Sequence, residues 1–95
     1  MNEILSLWQV HRDASWPRFS GPNEGELMML DTVISGCVTC YLDSEGGLDP
    51  QRITMLESCL ADLDGLLPGL AGGVAEYFER LRALAALLLS TQHQA

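Results

Sequence analysis

Lysine is missing from this chain altogether, and five arginines, at positions 12, 18, 52, 80 and 82, stand against thirteen acidic residues, for a net charge of −8. Non-specific nucleic-acid binding works by neutralising phosphates, and attraction to anionic lipid needs the same cations, so both kinds of partner are disfavoured. No uninterrupted run approaches the ~18 to 20 apolar residues that span a bilayer, and the longest candidate, residues 81 to 89, is interrupted by Arg82. Met1-Asn2-Glu3 is acidic where a secretory signal would be basic, and no apolar signal core follows, so a cytoplasmic protein without a membrane partner is the expectation. Strand signals are lacking too: β-branched residues are sparse and no segment alternates at period two.

What the chain has is helical periodicity. Leu27, Leu30, Ile34, Cys37, Val38 and Tyr41 recur at helical spacing, and Met29, Val33 and Cys40 widen that stripe on one flank. At about 100° per residue the apolar arc takes up well over half of the circumference, so this helix must be covered on two sides. Three further segments carry narrower stripes. Residues 2 to 12 place Ile4, Leu7, Trp8 and His11 on one face of a short helix. A third helix aligns Ile53, Leu56, Leu60, Leu63 and Leu67, with Thr54, Glu57, Ser58 and Asp62 outside. A fourth aligns Val74, Tyr77, Phe78, Leu81, Leu84, Ala85 and Leu88, with Glu76, Glu79, Arg80 and Ala83 facing away.

Punctuation between these segments sets their limits. Asn2 is the expected cap of the first helix, and Asn23 followed by Glu26 reads as a capping box opening the second. Ser44-Glu45-Gly46-Gly47 ends it with glycines suited to a left-handed turn, Gly47 among them. Asp49-Pro50 restarts the chain, the aspartate as N-cap and the proline where no amide is needed. Pro68-Gly69 breaks the third helix and Gly72-Gly73 delays the fourth. Trp16 and Phe19 lie in a segment with two prolines and a glycine, read as an ordered loop pinned on the bundle. Short connections favour antiparallel neighbours. The expected fold is therefore all-α, a small antiparallel bundle of three long helices plus a short N-terminal helix, in one domain over residues 1–95 with a frayed tail from 91 to 95.

Candidate chemistry is thin. Cys37-Val38-Thr39-Cys40 has the spacing of a dithiol or of half a zinc site, and Cys59 could join it. A fourth ligand would have to be His11 or His93, and the pair sits too far along its helix to gain activation from the N-terminal dipole. Cysteine as a small buried hydrophobe is the simpler reading, so no metal or cofactor is expected. His11, on an apolar face, reads as a buried and hydrogen-bonded side chain, and no nucleophile motif or phosphate loop is present. Asp64 lies near the apolar edge of the third helix, where Arg80 or Arg82 is its expected partner. Function is accordingly expected in surfaces: a non-enzymatic protein–protein interaction module, a small cytoplasmic adaptor or regulator that self-associates. Met29, Val33 and Cys40, with Trp8, Trp16 and Phe19, are the candidate interface residues. Two alternatives stand beside it: a thiol-based metal-binding or redox-sensing protein using Cys37, Cys40 and Cys59, and an acidic inhibitor of a basic protein.

Overall fold

A computed structural model describes residues 3–17, 21, 23–44 and 47–92. The Asn2 cap, Arg18, Phe19, the Gly46 turn and His93 lie outside the described residues. Four α-helices follow one another: α1 (Glu3–Asp13), α2 (Glu24–Asp43), α3 (Pro50–Leu66) and α4 (Gly72–Gln92), with a 3-10 turn (Leu67–Gly69) closing α3. No strand occurs among the described residues, so the chain is all-α.

The stripes read from the sequence meet in one core. Leu27, Leu30, Ile34 and Val38 of α2, Leu56 and Leu63 of α3, and Phe78, Leu81, Leu84 and Leu88 of α4 are sealed from solvent, with Ile4 of α1 at the edge. α2, α3 and α4 pack on one another, and α1 packs chiefly along α4. Of the described helices, α2 alone is long and apolar enough to cross a membrane, with a mean hydropathy of 1.2, which corrects the expectation that residues 81 to 89 come nearest. The core helix of a bundle meets the same criterion, and α2's leucine stripe is consumed against α3 and α4.

Helix ends divide sharply. Asp49, extended at φ −75° and ψ 163°, accepts from the Arg52 N–H at 2.8 Å, and its second oxygen takes the Arg52 guanidinium at 2.8 Å. Asn23 stands at the N-cap of α2 but makes no side-chain cap bond. The expected capping box is thus corrected: at φ −102° and ψ 8° the backbone is turned out of the extended region that aims a cap side chain at the N2 and N3 amides. Asp49→Ala should therefore lower stability by about 1 kcal/mol, and Asn23→Ala should leave it within a few tenths of a kcal/mol, as read from denaturant midpoints.

Two glycine expectations also change. α2 closes with the Ser44 N–H donating to the Cys40 carbonyl and the Gly47 N–H to the Ser44 carbonyl, and Gly47 does not adopt a positive φ. Among the described residues the left-handed glycine is Gly72 instead, at φ 62°, and it opens α4 directly. α4 also runs on through Thr91 and Gln92, where the Gln92 Oε1 accepts from the Leu48 N–H at 3.3 Å.

Candidate functional site

Two features stand apart from the apolar core. One is a polar cluster that joins three helices. His11 of α1, 3% exposed, donates from Nε2 to the Asp31 Oδ1 of α2 at 3.0 Å, and the Tyr77 hydroxyl of α4 donates to the Asp31 Oδ2 at 3.1 Å. The Arg80 Nε donates to His11 Nδ1 at 3.2 Å, and its guanidinium lies 5.6 Å above the Tyr77 ring. Guanidinium can only donate and carboxylate can only accept, so the ring is neutral with its proton on Nε2. Burial, and then the Asp31 charge, push the Tyr77 hydroxyl up to about 12. Trp16 closes the cluster edge-on, 5.4 Å from Tyr77 and 5.7 Å from Phe78.

This cluster corrects the sequence reading of Arg80, which was expected to face away. Its neighbour Arg82 takes the expected partner instead, donating to Asp64 across α3 and α4. Asp31 and Tyr77 were not singled out as polar partners. A signal existed: Asp31 falls between Leu27 and Ile34 on the most apolar stripe of the chain, where a carboxylate needs donors.

The second feature is a groove between α2 and α3. A hollow of about 230 Å³ is walled by Val33, Gly36 and Cys37 with Arg52 and Met55, and an adjoining one of about 350 Å³ by Met29 and Val33 with Met55, Cys59 and Asp62. Val33 and Met55 line both, so they mark the middle, with Arg52 toward one end and Asp62 toward the other. Met29 and Met55 are 55% and 41% exposed, large values for apolar side chains. Met55 was missed in the sequence because it falls outside the stripe of its own helix.

The candidate interface residues thus separate. Met29 and Val33 flank the open groove; half-buried Cys40 continues their line, its Sγ 4.0 Å from the Ser44 Oγ. Trp8 and Trp16 are turned onto the polar cluster, with Trp8 6.2 Å from the His11 ring. The α1 side of the bundle therefore covers Tyr77 and Phe78, not the Met29–Val33 flank. A further hollow of about 430 Å³ between α1 and α4, lined by Leu7, Val10 and Leu87, carries charge only at Glu3.

All three cysteines are free thiols. Burial raises the pKa of Cys37, with Arg52 opposing it, and burial likewise raises that of Cys59. A raised thiol pKa means less thiolate, the form that attacks disulfides and binds metal. Among the described residues no three His, Cys, Asp or Glu side chains are grouped to hold a metal ion. Comparison with family models, curated proteins and solved structures gives no match.

Proposed function

We propose that this chain is a non-enzymatic protein–protein interaction module, a small cytoplasmic adaptor or regulator that self-associates through the α2–α3 groove. The observation that carries the reading is the groove itself: two exposed methionines, Met29 and Met55, beside Val33, left open because α1 and Trp16 lie on the other side of the bundle. Methionine fills irregular gaps without a fixed shape, which suits a surface that receives another helix. An antiparallel bundle of three long helices and a short N-terminal one frames it. The order in which residues line the groove, Cys37 beside Arg52 and Met29 beside Asp62, supports opposite directions for α2 and α3.

Other chemistry is less well supported. Both ring nitrogens of His11 are engaged, so it has no lone pair to offer a substrate proton. The raised thiols of Cys37 and Cys59 weaken the metal and redox alternative.

Sedimentation of the purified chain tests the reading. The wild type should be a dimer, and Met29→Glu, at a half-exposed position that tolerates a charge, should be a helical monomer. Val33→Asp should behave in the same way. A wild type that stays monomeric across the accessible concentration range overturns self-association; if Val33→Asp then also unfolds, its flank belongs to the core.

A further inference from the structure

We infer that two copies of this chain pair about a two-fold axis through the middle of the α2–α3 groove, setting Arg52 of each against Asp62 of the other and Val33 of each into the notch at Gly36. The inference rests on the interaction reading above and adds the occupant's register. A closed dimer uses one patch twice, so the patch must complement itself when its ends are exchanged. This groove does. Its middle is Val33 and Met55; one end carries the Arg52 guanidinium, which also holds Asp49 of its own chain at 2.8 Å, and the other an anion, Asp62. The two are ten residues apart on α3, about 15 Å along the axis, and rotation by half a turn brings each onto the opposite charge.

The α2 wall has the same symmetry. Val33 and Gly36, and outside them Met29 and Cys40, are placed evenly about the point between Ile34 and Ser35. Crossing two α2 helices there lays a branched side chain over a residue that has none, and a methionine over a small thiol. Gly36 itself needs such an explanation. It sits exposed in the interior of α2, where glycine is less favourable than alanine, and a Cβ added to it would meet nothing within 4 Å in the single chain. Arg52 and Asp62 also lie evenly about Glu57, within one turn of Met55, so the symmetry points of the two helices fall side by side.

The net charge of −8 on each copy opposes the approach. At physiological ionic strength the Debye length is about 8 Å, so acids outside the groove are largely screened and the charges facing across it decide the local fit.

Charge exchange tests the register. Arg52→Glu puts acid against acid at both ends of a dimer, and Asp62→Arg puts base against base; each variant alone should dimerise about tenfold more weakly than wild type. Mixed in equal amounts, they should form a one-to-one heterodimer near wild-type affinity, because both opposite-charge contacts return. Circular dichroism checks that each remains helical, and Gly36→Leu should abolish the dimer at unchanged helicity by filling the notch. Swapped variants that dimerise like wild type, or a mixture no tighter than either alone, overturn the register even where Met29→Glu still breaks the dimer. A wild type that does not dimerise at all removes the self-association reading along with it.

Discussion

Asp31→Ala is expected to destabilise the fold by about 2 to 5 kcal/mol, the largest effect of any polar substitution in the chain. The carboxylate accepts from the His11 Nε2–H at 3.0 Å and from the Tyr77 hydroxyl at 3.1 Å. Alanine supplies neither acceptor, and both donors sit where water has little access: His11 is 3% exposed and Tyr77 7%. A buried donor left without a partner costs about 1 to 3 kcal/mol, and there are two. For a domain of this size, each kcal/mol lowers the melting temperature by roughly 4 to 8 °C, so a fall of at least about 8 °C should be seen by circular dichroism. Asp31→Asn keeps one acceptor oxygen but turns an amide NH2 toward the second donor, and should fall between the two. A melting temperature unchanged in Asp31→Ala would mean that the three-helix cluster does not form.

Alkaline pH should act on the same cluster from its other side. Tyr77 ionises at about 12 in the folded chain, against 10 when unfolded, chiefly because burial disfavours the phenolate and next because Asp31 repels it. The folded state thus holds the Tyr77 proton more tightly than the unfolded state does. Stability from this group is fully present below pH 10 and is lost as the pH rises through 12, by about 2 to 3 kcal/mol. The absence of lysine clears this window of side-chain ammonium titrations. Cys37 and Cys59 are raised as well and lose stability in the same direction, starting from about pH 9, so the decisive comparison is with Tyr77→Phe. Urea midpoints should fall more steeply with pH in the wild type than in the variant. Parallel slopes would show that folding does not raise the Tyr77 hydroxyl, and so that it is not buried against Asp31.

What the sequence revealed of this arrangement depends on the range of the interaction. The Asp49-Pro50 start is written within four residues, and it forms as read because the extended backbone at Asp49 points its carboxylate at the Arg52 amide. The apolar stripes of all four helices are equally local, and they meet in one core. Asn23 shows the limit even at short range: the right residue stands at the right position, but its backbone is turned away. The polar cluster lies beyond local reading altogether. Its bonds join residues 20, 46 and 69 positions apart, and nothing in the spacing around Arg80 distinguishes a guanidinium over a tyrosine ring from one in solvent. The groove was half legible. Met29 and Val33 stood out as surplus apolar width on α2, whereas Met55 became part of the site only when α3 was laid beside them.

The neutral ring of His11 has an effect on how the chain is held together. Arg80 and Asp31 sit on α4 and α2, and in direct contact they would have formed an ion pair between those two helices, indifferent to the N-terminal segment. With the imidazole between them, taking a proton contact from the guanidinium and passing one to the carboxylate, neither charge reaches its counterpart except through α1. The shortest helix, which contributes one fully buried aliphatic side chain to the core, is thereby built into the electrostatic closure of the bundle. Lifting it away would take from Arg80 its acceptor and leave Asp31 with the Tyr77 hydroxyl alone, so the eleven residues of α1 behave as a keystone and not as an appendage.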